Sequence, residues 1–182
     1  MVQILSSFVF VLSAAAAFAS PVKRDVATVK ADIANIATQV TSLNNAIQAF
    51  PSSGGSLANA LAIHNSAVSL DTAVKKATTD VQATDPFSDA DSADILASVE
   101  AIEPTIESAL TGIVEKKPAF DALPIGGVSA LVRQDLNNLN TDTLALADSL
   151  IAKASAGTVD QANTIKSNIA SAFATAIAAY AA

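Results

Sequence analysis

The 182-residue chain has no cysteine and no tryptophan, and it has one histidine and one tyrosine. Without cysteine there is no disulfide framework, no zinc thiolate site and no thiol nucleophile, and redox compartment leaves no mark on the sequence. A metal or triad site would have a single imidazole to work with, His64, and no G-x-S-x-G elbow surrounds any serine. A histidine beside an apolar line, one position after Ile63, is more commonly structural or on the surface. Aromatic rings are scarce: past residue 24 they are Phe50, Phe87, Phe120, Phe173 and Tyr180. The carboxylates could in principle pair as in a glycosidase, but sugar sites generally need stacking surfaces as well. Positive charge is also short, with ten Lys and Arg against seventeen Asp and Glu, a net charge of -7 and an isoelectric point near 4.4. Apart from Lys75-Lys76 and Lys116-Lys117, the later basic residues are scattered, which argues against nucleic acid and anionic membrane surfaces as partners. No cofactor, metal or enzymatic activity is expected.

Acid is concentrated in Asp85, Asp89, Asp91, Asp94, Glu100, Glu103 and Glu107, with no Lys or Arg between them. Asp89, Asp91 and Asp94 suggest calcium, yet no glycine turn or bidentate glutamate follows at EF-hand spacing. Carboxylates in the first turns of a helix are expected from the macrodipole alone.

Residues 1–19 read as a secretory signal peptide: an apolar run through Leu12 and Ala17, then Ala17-Phe18-Ala19 with small residues where signal peptidase reads. A membrane anchor is the alternative, but the run is short and ends at Ser20-Pro21. Residues 20–24 end in Lys23-Arg24, which reads as a dibasic pro-segment for a kexin-type protease or as a charged linker. The domain then occupies 25–182, enough for one sizeable core without disulfides or metal. No transmembrane segment is expected in it. The uncharged end from Ile169 to Ala182 fits either a final amphipathic helix or a short GPI-attachment tail.

What the domain has in plenty is helical periodicity. Val26, Val29, Ile33, Ile36, Val40, Leu43, Ile47 and Phe50 alternate spacings of three and four, placing every large apolar side chain on one stripe. Phe50-Pro51 should end this helix, and Ser56 should cap a second on Ala60, Ile63, Ala67, Leu70, Val74, Ala77 and Val81, widened by Leu57, Leu61 and Val68. Ser88 with Asp91 opens a third along Ile95, Val99, Ile102, Ile106, Leu110 and Ile113, which Pro104 should kink or divide. Pro118 to Val128 reads as an apolar connection. The fourth helix runs from Val128 to Ala154, and Thr158 with Gln161 forms a capping box for the fifth. The fold class is all-α: an antiparallel bundle of about five helices. Alanine at many inward positions makes the seams weaker than all-leucine ones, so opening should be comparatively cheap.

In order and length, these stripes resemble the fungal hydrophobic surface-binding protein family, which includes cell-wall galactomannoproteins. The resemblance rests on Val29 to Phe50, the Gly126-Gly127 connection, Val132 to Leu139, and Leu146-Ala147-Asp148-Ser149-Leu150-Ile151-Ala152-Lys153. It implies a secreted or wall-associated, non-enzymatic helical protein that adsorbs to hydrophobic surfaces or holds fatty acids or other lipids. Cell-wall components are further partners, although no N-x-S/T sequon is present. The apolar binding residues would be Val29, Ile33, Ile36 and Val40 on the first helix, and Ile63 and Leu70 on the second. Ile102 and Ile106, Leu136 and Leu139, and Ile169 and Phe173 follow on the next three. Phe120, Leu123 and Ile125 of the 118–128 connection would cover them. The alternative is a structural wall or interaction module with a fully packed core and no lipid.

Overall fold

The computed structural model describes residues 25–181. The expected signal peptide, the dibasic segment and Ala182 lie outside the described residues. Five α-helices follow one another: α1 Val26–Ala49, α2 Leu57–Gln82, α3 Asp89–Asp121, α4 Val128–Lys153 and α5 Val159–Ala179, with a 3-10 turn at Ala156–Thr158. Among the described residues there is no strand, and no helix is long and apolar enough to cross a membrane.

Local chemistry sets the helix starts. The Asp25 carboxylate accepts from the Thr28 amide at 2.9 Å, the Ser56 hydroxyl oxygen from Asn59 at 3.2 Å, and the Ser88 hydroxyl oxygen from Asp91 at 3.1 Å. Helix α4 begins instead after Gly127, whose φ of 95° is the left-handed backbone that glycine adopts without strain. The expected Thr158–Gln161 capping box does not form. Thr158 already lies in the 3-10 turn, so its hydroxyl donates back to the Ser155 carbonyl, and Gln161 reaches across to Glu100.

Two prolines read differently in the fold. Helix α3 continues undivided through Pro104, which is exposed, so water can satisfy the Glu100 carbonyl that loses its intrahelical partner. It also continues through Pro118, exposed in the same way, to Asp121. The connection is therefore 122–127, and Phe120 belongs to a helix. Leu61 and Val68 do not widen the inner stripe of α2: they lie across the helix from Ile63 and Leu70, 43% and 47% exposed.

The helices close into a ring in the order α2, α1, α3, α5, α4 and back to α2. Contacts along the seams fix the directions. Lys76 of α2 meets Asp32 near the start of α1, so these two are antiparallel, as are α4 and α5 through Asp148 and Lys166. Lys30 meets Asp91 and Asp94, and Ser108 donates to Asn44, so α1 and α3 run together. The same reading makes α3 parallel to α5, through Glu103–Asn168 and Ile113–Tyr180, and α2 parallel to α4, through His64–Asp135 and Gln82–Ser149. Consecutive helices thus alternate direction, as short connections demand, and the apolar stripes of all five converge on one axis.

Candidate functional site: an apolar cavity along the bundle axis

At the lower end, where α1, α3 and α5 begin, two connections are tied together. The Lys153 ammonium donates to the Thr84 carbonyl at 2.6 Å, the Phe87 amide donates to the Lys153 carbonyl at 2.8 Å, and the Ser155 amide donates to the Ser92 hydroxyl oxygen at 2.9 Å. At the upper end the Phe50 and Phe120 rings stack at 4.5 Å, Leu123 is buried beside the core, and the Tyr180 hydroxyl donates to the Ile113 carbonyl at 2.7 Å. Burial pushes the Tyr180 phenol pKa well above its usual range, so it stays a neutral donor.

Between these ends the inner faces do not fill the axis. They line a cavity of about 180 Å³ whose wall runs from Phe87, Ile95 and Ile151 below to Ile47, Ile113 and Phe173 above. Only six of its lining residues carry a polar side chain: His64, Ser92, Asp135, Thr143, Thr158 and Lys166. The hollow follows from the side chains available. Alanine at 67, 109, 147, 154 and 162 on the wall leaves space that leucine would occupy.

The structure places most of the residues expected to bind on this wall. Ile33, Ile36 and Val40 reach it from α1, Ile63 and Leu70 from α2, and Ile102 and Ile106 from α3. Leu136 and Leu139 come from α4, and Ile169 and Phe173 from α5. Val29 does not reach it, being fully enclosed near the lower end of α1. Nor does the expected cover line it: Phe120 is buried against Phe50, Leu123 packs beside the core, and Ile125 points outward, 48% exposed.

Polar clasps bind the rims of the seams. Lys30 bridges Asp91 and Asp94 at 2.8 Å each, which absorbs two acids of the α3 run and holds the Asp91 carboxyl below its usual range. Lys76 bridges Asp32 and Asp80. The α2/α4 seam is the most ionisable. His64 Nδ1 lies 2.8 Å from Asp135, and Lys75 pairs with Asp71 at 2.6 Å and with Asp142 at 3.2 Å. Burial raises the Asp135 pKa against the opposing pull of His64; burial and then the neighbouring Asp71 carboxylate raise that of Asp142.

The wall also takes in residues outside the expected set, among them Leu43, Ile47, Ile95, Leu146 and Ile165 from the same stripes, and two that lie off those stripes, Phe87 and His64. Phe87 stands just before the Ser88 cap, where an apolar side chain often packs back on its helix, and that was the available signal. His64 gave no signal of its own, because its partner lies 71 residues away.

The model of the family described as hydrophobic surface binding protein A matches residues 26–152. The fold is similar to that of AfMp4p, solved in complex with palmitic acid, with a TM-score of 0.80 and 33% identity over 86% of this chain and 100% of that one. Ligand binding domain 1 of the Penicillium marneffei MP1 protein, complexed with arachidonic acids, has a TM-score of 0.77 and 19% identity over 86% and 99% of the two chains. Domain 2, complexed with multiple arachidonic acids, has 0.77 and 19% over 88% and 98%. At that identity, the two MP1 domains speak to the fold alone. No curated protein sequence matches the chain.

Proposed function

The chain belongs to the hydrophobic surface binding protein A family, and from that premise we propose that it is a secreted, non-enzymatic protein that binds fatty acids in its axial cavity. The observation that carries this reading is the apolar hollow itself. At about 24 cal/mol per Å³, a 180 Å³ void costs roughly 4 kcal/mol relative to a filled core. A purely structural bundle gains nothing from such a loss. A ligand that fills the void offsets it, since each methylene removed from water contributes about 0.8 kcal/mol. From Val132 to Ala154 the wall spans roughly 33 Å of helix, room for an extended long acyl chain. The palmitic acid in the complex of AfMp4p supports this class of ligand.

Adsorption to larger hydrophobic surfaces would use the same stripes. Among the described residues the exposed large apolar side chains are Leu61, Val68 and Ile125, too few for a binding face. A surface would therefore have to draw the inner stripes out by parting the alanine-rich seams, as amphipathic helices do at lipid boundaries. Secretion rests on residues 1–19, and the mature form begins at Ser20 or Asp25. Intact mass of extracellular protein tests that, and retained Met1 contradicts it. Titration with a fluorescent fatty acid tests the binding. Saturable uptake that palmitate displaces is expected, and a response no greater than that of an unrelated acidic helical bundle would return the protein to the structural class.

A further inference from the structure

A carboxylic acid entering an apolar cavity brings one polar end that must be satisfied there, because a buried unpaired carboxyl is costly. The polar side chains on the wall are not equivalent in this respect. Ser92 accepts from the Ser155 amide and Thr158 donates to the Ser155 carbonyl, so both are engaged in closing the lower end. The Lys166 ammonium is held by Asp148, itself 62% exposed, so its charge sits at the outer rim. Thr143 offers a neutral hydroxyl. The remaining two form a pair: His64 and Asp135, with side chains 26% and 12% exposed, joined through Nδ1 at 2.8 Å.

That bond sets the chemistry of the ring. An ionised Asp135 can only accept, so Nδ1 carries a proton and Nε2 is the nitrogen left for another partner. Among the described residues nothing else hydrogen-bonds to the ring. In the neutral ring Nε2 accepts from a protonated carboxyl; in the imidazolium it donates to a carboxylate. Either way one proton is shared between Nε2 and the ligand, and the ring stands between that ligand and the negative charge of Asp135. The neighbouring groups cannot serve in its place. Across the same α2/α4 seam lie Asp71 and Asp142, which repel a carboxylate, and Lys75, which bridges those two acids.

We propose that His64, clamped by Asp135, is the specificity-determining residue that receives the carboxyl end of the fatty acid. The acyl chain then runs down the axis toward Ile151 and Phe87. The inference rests on the fatty-acid reading above and adds to it a direction and a preference: free acids over neutral lipids of the same chain length. From Asp135 to Ala154 the wall offers roughly 28 Å for the tail.

The test compares palmitate with its methyl ester as competitors of a fluorescent fatty acid. Three proteins are used: the wild type, a double variant His64→Leu with Asp135→Leu, which removes both partners and strands neither, and Lys166→Met. The wild type is expected to favour the acid, and the double variant to lose that preference by about tenfold or more, the scale of a charge-assisted hydrogen bond, while keeping its affinity for the ester. Lys166→Met removes the other cation on the wall, the rival receiver for the carboxyl. An unchanged ratio in the double variant, or a ratio lost only in Lys166→Met, overturns the assignment. Should the double variant fail to fold, the wild type suffices, because His64 is the only histidine in the sequence. Its imidazole resonances should shift on saturation with palmitate and not with the ester, and a ring unmoved by bound palmitate would equally overturn it. Failure of both acid and ester to bind would instead remove the fatty-acid reading and this inference with it.

Discussion

Phe50 and Phe120, seventy positions apart in the chain, stack with ring centroids 4.5 Å apart and planes inclined by 29°, each 1% exposed. The pair closes the upper end of the ring by joining the C-cap of α1 to the last turn of α3. It also accounts for α3 running past Pro118: burying an aromatic ring there outweighs one lost helical hydrogen bond at an exposed position. Replacing Phe120 by Ala should cost about 3–5 kcal/mol, the range for a buried phenylalanine. Chemical denaturation measures this, and because Phe120 is not on the cavity wall, the folded variant should keep its affinity for palmitate within a few-fold.

Gly55 meets the Cζ end of the Phe50 ring. A Cβ placed there would lie 2.3 Å from Phe50 Cζ, and the stacked ring has nowhere to retreat. Gly55→Ala should therefore destabilise the protein by about 1–3 kcal/mol, as overpacking does, whereas Gly126→Ala, which meets nothing within 4 Å, should stay close to the wild type. The difference between their denaturation midpoints is the measurement.

Stability should pass through a maximum at mildly acidic pH. Asp135 and Asp142 have folded-state pKa values raised by burial above the ordinary 3.8, so they burden the folded state when ionised, and the burden lifts as pH falls through those values. The net charge of -7 shrinks over the same interval, which eases self-repulsion. Asp25, Asp91 and Asp121 act in the opposite sense. Their pKa values are lowered by hydrogen bonds, led by Thr28, Lys30 and Lys117 respectively, so they stabilise above 3.8 and that contribution is lost as pH falls through their folded values. Melting temperature should thus rise as pH falls from neutrality through the raised values of Asp135 and Asp142, and fall again below the ordinary carboxylate value of 3.8 as Asp25, Asp91 and Asp121 take up protons. A steady decline from neutrality would contradict the assignment of the burdened pair.

Ligand should stabilise the fold by mass action. At a free palmitate concentration about a hundredfold above the dissociation constant, the gain is about 2.7 kcal/mol, which for a domain of this size raises the melting temperature by roughly 5–10 °C. Filling the cavity with protein should abolish the shift. Ala147→Phe projects a ring from α4 into the axis and is expected to melt within a few degrees of the unliganded wild type while no longer responding to palmitate. A full thermal shift in this variant would place the ligand elsewhere.

Much of the fold was legible because its signals are local. The three-and-four spacing of Val29 to Ile47 fixes an inner stripe whatever the neighbours are, and Ser56 and Ser88 cap where their sequences say they should. The spacing also places Ile102, Leu139 and Phe173 toward one axis, since a stripe can only face inward in a ring of helices. What was not legible depends on contacts across the chain. Pro118 looks like a helix stop until Phe50 is known to wait for Phe120, and the apolar connection looks like a cover until Ile125 is seen in solvent. Leu61 and Val68 are apolar yet outward, because α1 and α4 flank α2 and leave its far side uncovered. His64 and Asp135 meet only because α2 and α4 are parallel neighbours, a fact of ring order that no local spacing contains.

The central claim, that an acyl chain lies along the bundle axis, is tested most directly by nuclear Overhauser effects between palmitate carrying a ¹³C-labelled terminal methyl group and the methyl groups of the protein. The account predicts cross-peaks to the lower wall, Ile95, Ile151 and Leu150, with none to Leu61, Val68 or Ile125. Cross-peaks confined to those three exposed side chains would place the ligand on the outside of the bundle and contradict the claim.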